Sequence, residues 1–224
     1  MNRFLNFIIL LLISTNFIFS QAGSEGEWKW YILDDFESCN NWGVINGSFY
    51  KPQYYNSNPR LAIIEGGSEK LIETPKNYCL GVKVLHIGSA EGATEVFVIP
   101  LKPIEIPGVC KKISFWVNSR NKKLEIRLRV ANYMNYIYDL KPEPSDLNFW
   151  GWKELIIDDV DKKVPQINPN RLDYKPIKIL SFVIDNKYRF NALGSFYLYI
   201  DHLKAYCNEY KLPSYDGSKI SDKW

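Results

Sequence analysis

The 224 residues carry 28 Lys plus Arg against 25 Asp plus Glu, a formal net charge of +3. That balance argues against nucleic acid as a general partner. An aromatic fraction of 15%, with 15 Tyr and 7 Trp, instead favours strands, interfaces or sugar platforms.

The chain opens with one cation, Arg3, and an apolar run from Phe4 to Ile13 interrupted only by Asn6. This run is too short to cross a bilayer comfortably, and Ser20, Gln21 and Ala22 follow it as a peptidase site would require, so residues 1–22 read as a cleaved secretory signal. Residues 23–224 are expected to form a single β-sandwich domain with an extended C-terminal tail. No later apolar stretch reaches the roughly 18 to 20 residues of a membrane-spanning helix, and no membrane partner is expected. Four cysteines, Cys39, Cys79, Cys110 and Cys207, are candidates for disulfides in an exported chain, with three pairings open.

From Trp28 onward, short β-branched and aromatic runs alternate with Gly, Pro and Asn clusters, the pattern of an antiparallel all-β sandwich of roughly ten strands. Trp28 to Glu37 is the first. Trp42 to Tyr50 is the second, with Asn46-Gly47 as a hairpin signal. Lys51 to Pro59 reads as a loop. Leu61 to Ile64, Leu80 to Ile87, Thr94 to Ile99 and Lys112 to Val117 follow as strands. The three prolines of P-L-K-P-I-E-I-P-G (residues 100–108) mark an extended crossover, because proline cannot lie within a paired central strand. In Lys123 to Val130 the apolar residues Leu124, Ile126, Leu128 and Val130 alternate with Lys123, Glu125, Arg127 and Arg129, which predicts a cationic outer face. Tyr136 to Leu140, Trp152 to Ile157 and Ile177 to Ile184 complete the middle of the chain. In Gly194 to Tyr206 a strict period of two sets Phe196, Leu198 and Ile200 against Tyr197, Tyr199 and Asp201. The first and last strands are expected to pair, since each otherwise leaves its backbone groups unsatisfied. Helix should be minor.

Catalysis is not expected. No G-x-S-x-G, phosphate loop or dinucleotide fingerprint occurs, and His202 follows Asp201 directly, which on a regular strand sends the two side chains to opposite faces. The acidic run Asp158 to Lys163, D-D-V-D-K-K, reads as a solvated turn. If the terminal strands pair, Asp35, Glu37 and Asp201 gather as hard oxygen ligands, a candidate calcium site. Trp150 and Trp152 flank Gly151 as candidate stacking rings.

Several segments together resemble a known family. They are L-D-D-F-E at Leu33 to Glu37, L-G-V-K-V at Leu80 to Val84, I-P-G-V-C-K-K-I-S-F-W-V-N-S-R-N at Ile106 to Asn121, L-N-F-W-G-W-K-E-L at Leu147 to Leu155, F-Y-L-Y-I-D at Phe196 to Asp201 and Y-D-G at Tyr215 to Gly217. In this order they are similar to FlaA, the flagellar filament outer-layer or sheath protein of spirochaetes. The resemblance implies a jelly-roll sandwich akin to carbohydrate-binding modules, without catalysis. It implies a periplasmic protein that coats the flagellin core, contacts other sheath proteins and affects filament stiffness, shape and motility. For such a role the candidate contact surfaces are Lys123, Arg127 and Arg129 on one strand face and Tyr54 and Tyr55 in a loop. The alternative expectation is a secreted carbohydrate-binding module of jelly-roll type.

Overall fold

The computed structural model describes residues 27–38, 40–46, 60–65, 78–84, 95–166, 176–185 and 196–208. The segment read as a secretory signal, Tyr54, Tyr55, Cys39, the Gly47 of the expected hairpin and the Y-D-G segment lie outside them. Contacts divide the chain into two units, Trp28–Glu209 and the two ends, Met1–Glu27 with Tyr210–Trp224. Apart from Glu27, every described residue belongs to the first unit. No helix among the described residues is long and apolar enough to cross a membrane.

Among the described residues twelve strands run in chain order: β1 (Trp28–Asp34), β2 (Trp42–Asn46), β3 (Arg60–Glu65), β4 (Tyr78–Val84), β5 (Glu95–Pro100), β6 (Ile104–Glu105), β7 (Val109–Arg120), β8 (Glu125–Ala131), β9 (Ile137–Leu140), β10 (Trp150–Ile157), β11 (Lys178–Asp185) and β12 (Phe196–Asn208). They make two antiparallel sheets, one ordered β10-β7-β12-β4-β3 with β1 also on β12, the other β2-β5-β11-β8-β9 with β6 also on β11. This is the all-β sandwich that the alternation requires, and the inward faces of both sheets supply one core. Leu80, Val82, Ile113, Phe115, Val117, Phe196, Leu198 and Ile200 come from the first sheet; Val96, Val98, Ile126, Leu128, Phe182 and Ile184 come from the second.

The two ends of this unit meet, each satisfying the other's backbone groups. β1 runs antiparallel to the C-terminal half of β12, from Trp28 opposite Asn208 to Asp34 opposite Leu203. β4 takes the same edge of β12 along its N-terminal half, Phe196 to Ile200, and β7 lines the other edge along most of the length. β12 is therefore the spine of its sheet.

Two local expectations change. The proline-rich crossover contains a short strand, β6, whose Ile104 and Glu105 pair with Ile179 and Lys178. They fit because they sit between Pro103 and Pro107, so the ladder needs no donor from either proline. The D-D-V-D-K-K run holds one helical turn, α1 (Val160–Lys163). It is anchored rather than fully solvated, because Val160 and Val164 are buried in the core while Lys112 reaches Asp158 at 2.7 Å from β7.

Candidate interaction surface

At the end of β1 the L-D-D-F-E segment is held by its first acid. Asp34 Oδ1 accepts the Phe36 amide at 2.7 Å and Oδ2 accepts the Trp42 indole N–H at 2.8 Å. Burial raises the pKa of Asp34, and the two hydrogen bonds oppose that rise. The latch fixes Phe36 at φ 56° with its ring fully buried. Asp35 and Glu37 serve the same turn: Asp35 Oδ1 accepts the Glu37 amide at 3.3 Å, and Glu37 Oε1 accepts the Tyr78 amide at 3.3 Å.

Asp201 and Glu37 both act on Cys79, and Asp35 and Glu37 both act on His202. Burial first, then the charges of Asp201 and Glu37, push the Cys79 thiol up to about 12. Burial first, and then Lys204, lower the pKa of His202 against the opposing pull of Asp35, Glu154 and Glu37. Among the described residues, however, no group of three or more His, Cys, Asp or Glu side chains is arranged to hold a metal ion.

The backbone explains where Asp201 goes. Between Asp201 and Lys204 the register against β7 shifts, and His202 takes φ 52°. Two residues of β12, His202 and Leu203, thus oppose the single residue Phe115, which is a β-bulge. Ile200 and Leu203 both enter the core, and Asp201 is completely buried between them. The strict alternation expected through Asp201 therefore holds that far and breaks at His202. Asp201 and His202 do not take opposite faces, because the extra residue lets both stand away from the core.

Beyond the bulge the strand resumes in shifted phase, and its outward residues are Lys204 and Tyr206. Across from them β1 presents Trp28, Trp30 and Ile32, with Trp30 opposite Tyr206 and Ile32 opposite Lys204. The Tyr206 ring stacks on Trp28 at 5.7 Å and tilts against Trp30 at 5.3 Å. Cations lie over these rings: Lys111 Nζ is 4.0 Å from the Trp28 centroid and Lys204 Nζ is 5.0 Å from that of Trp30. Lys204 also pairs with Glu154 at 2.9 Å, and the Ser114 hydroxyl donates to the same Glu154 oxygen at 2.5 Å. Burial opposes ionisation of Glu154, but the Ser114 and Lys204 bonds outweigh it and hold its pKa below the ordinary value.

The same face continues along the first half of β12. Tyr197 lies under Lys83 at 5.3 Å and Arg120 at 5.5 Å, while Arg120 reaches Tyr199 both over its ring at 5.8 Å and at its hydroxyl at 3.3 Å. From Tyr197 to Tyr206 the strand spans about 30 Å at a strand's usual rise per residue. Trp30 is 44% exposed, Ile32 61% and Tyr197 37%. At the β10 edge Trp150 is 74% exposed. The arrangement is a row of aromatic rings with cations laid over them, a composition that suits contact with another macromolecule.

The face chosen from the sequence is built differently. Arg127 is only 16% exposed and meets three carboxylates, Glu95 at 2.6 Å, Asp185 at 3.3 Å and Asp139 at 3.4 Å. Arg129 grips Asp139 through two bonds, of 2.6 and 2.7 Å, and covers the buried Phe97 ring at 5.3 Å. Glu125 is itself buried and pairs with Lys141 at 2.7 Å. Acids from β5, β9 and β11 thus balance the two arginines, and the outer face of β8 is a charge network instead of the cationic face expected. Lys123 lies exposed just before β8.

The outer face of the β12 sheet escaped sequence reading although its parts were visible. W-K-W in the first strand and Y-L-Y in the last each place two rings on one side, but the bulge that brings Tyr206 and Lys204 onto the same face leaves no mark in composition.

The chain matches the family described as flagellar filament outer layer protein Flaa over residues 19–216. It is 27% identical over 201 residues to a flagellar filament outer layer-like protein of Brachyspira hyodysenteriae, covering 87% of this chain and 86% of that one. Among solved structures it is similar to the family 11 carbohydrate-binding module of the cellulosomal cellulase Lic26A-Cel5E of Clostridium thermocellum, at 16% identity and a TM-score of 0.43, over 82% of this chain and 97% of that one. The family 11 module of Clostridium thermocellum in complex with a β-1,3-1,4-mixed-linked tetrasaccharide gives 17% identity and a TM-score of 0.46, over 80% and 96%. With nearly the whole length matched, the chain belongs to the flagellar filament outer-layer protein family, FlaA.

Proposed function

We propose that this protein is a non-catalytic structural subunit of the outer layer of a periplasmic flagellar filament, exported by its N-terminal signal and laid on the flagellin core. The observation that carries the reading is the aromatic and cationic outer face of the β12 sheet. Trp, Tyr and Arg are the side chains that dominate contact energies between proteins, because they desolvate large areas and still hydrogen-bond. A single such face gives modest affinity. Repeated along a filament it gives strong attachment, since each bound subunit's further contacts form at high effective concentration. Stiffness then follows from many copies of one weak contact.

Cosedimentation of the purified protein with isolated flagellin cores tests this. Trp30→Ala should weaken binding about tenfold or more, the usual loss at an interfacial tryptophan, while Tyr136→Ala, on an exposed turn away from the face, should bind as the parent does. Equal binding by Trp30→Ala removes the face from the contact. Absence of the protein from purified native filaments removes the whole reading.

A second reading, a secreted carbohydrate-binding module, is favoured by Trp150, whose ring stands 74% exposed beside Gly151 at φ 79°. In that case glycan binding would be lost on Trp150→Ala and core binding would not be seen.

A further inference from the structure

Cys110 in β7 and Cys207 in β12 are direct partners across the antiparallel ladder, set opposite one another by a register shift between Tyr206 and Cys207. Opposed residues in such a ladder project to the same face with Cα atoms about 4.5 to 5.5 Å apart. That is a separation a disulfide spans without moving the backbone. Both side chains are fully buried in the core. The Cys207 side chain acts directly on the Cys110 thiol, and Cys110 Sγ donates to the Lys112 carbonyl at 3.2 Å. Cys79 is placed elsewhere: its strand, β4, is separated from β7 by β12, and its thiol sits beside Asp201 and Glu37.

We propose that Cys110 and Cys207 are joined by a disulfide in the mature protein. For the native cell this rests on the reading that the chain is exported, because an oxidising compartment is where such bonds persist. The oxidant is a disulfide carrier. One cysteine thiolate attacks a carrier sulfur, giving a mixed disulfide and releasing one carrier thiol; the second thiolate then attacks the protein sulfur of that mixed disulfide, closing the Cys110–Cys207 bond and releasing the other carrier thiol. Two electrons and two protons leave the protein for the carrier. The bond forms while the chain folds, because once folded the contact with Cys207 and burial hold the Cys110 thiol strongly protonated, and a thiol cannot carry out the attack. It closes a loop containing β8, β9, β10, α1 and β11, and long loops restrict the unfolded chain most.

Two arms test the pairing. In the first, the full chain is secreted to a bacterial periplasm; in the second, the reduced full chain is refolded in a buffer of oxidised and reduced glutathione. Each product is denatured without reductant, alkylated with iodoacetamide, digested and read by mass spectrometry. The expected result is a cross-linked pair of peptides carrying Cys110 and Cys207, lighter by two hydrogens than the two free peptides and split by reductant. A cross-link in the glutathione arm supports the pairing even if native export fails, since that arm needs no compartment. Alkylation of both cysteines in the glutathione arm, or linkage of either to Cys39 or Cys79, overturns it.

Discussion

At His202 the backbone leaves the extended region for φ 52°, a conformation that costs L-residues energy but that His, Asn and Asp adopt more readily than most. Everything on the outward side of β12 after this point depends on it, because one extra residue reverses which positions face out. Without the bulge Leu203 and Cys207 would turn outward and Lys204 and Tyr206 inward. A β-branched residue tolerates the left-handed region worst. His202→Val should therefore destabilise the fold by about 1 to 3 kcal/mol, while His202→Asn should cost less than half as much. Chemical denaturation of the two variants checks this, and equal stabilities would show that the bulge does not depend on this residue. The alternation of Phe196 to Ile200 was readable in the sequence because burial leaves a periodic trace. The phase change was not, since a histidine in a strand looks the same with or without positive φ.

The strand β8 shows the same limit one scale up. Its period of two was legible, and Ile126, Leu128 and Val130 do enter the core. What the strand could not reveal was the acids supplied by its neighbours: Asp139 from β9, Glu95 from β5 and Asp185 from β11. The consequence is measurable as a pH dependence. Burial works to raise the pKa of Asp139, but the Arg129 hydrogen bonds and the Arg129 and Arg127 charges prevail and hold it below its ordinary 3.8. A carboxylate depressed in the folded state contributes stability that is fully present above the unfolded value and is lost as pH falls through the folded one. Stability should thus decline as pH drops below about 4, and Asp139→Asn should flatten that decline while lowering stability at neutral pH. Urea unfolding of the two proteins at pH 7 and across the acid range reads both effects. An unchanged acid slope would mean that the pairs are too well solvated to matter.

Across the whole sandwich, the joining of first and last strands was legible because two alternating strands each needed a partner. What locks the two sheets together was not, because it depends on distances between segments remote in sequence. Phe182 of β11 sits at that junction. Its ring meets Phe115 of the opposite sheet edge-on at 5.0 Å, Trp42 at 5.7 Å and Phe36 at 6.4 Å. Through Trp42 and Phe36 it also touches the Asp34 latch, so the inter-sheet core and the end of β1 share one cluster. Truncating such a ring removes its own burial and leaves a cavity the surrounding strands cannot close, which costs about 3 to 5 kcal/mol. Against a total of about 5 to 15 kcal/mol for a domain, Phe182→Ala should bring unfolding close to ambient conditions. Trp150→Ala, at a ring mostly in water, should stay within about 0.5 kcal/mol. Equilibrium urea curves for the two variants separate these outcomes. A loss below about 1 kcal/mol for Phe182→Ala would show that the sheets are held by the aliphatic layers alone.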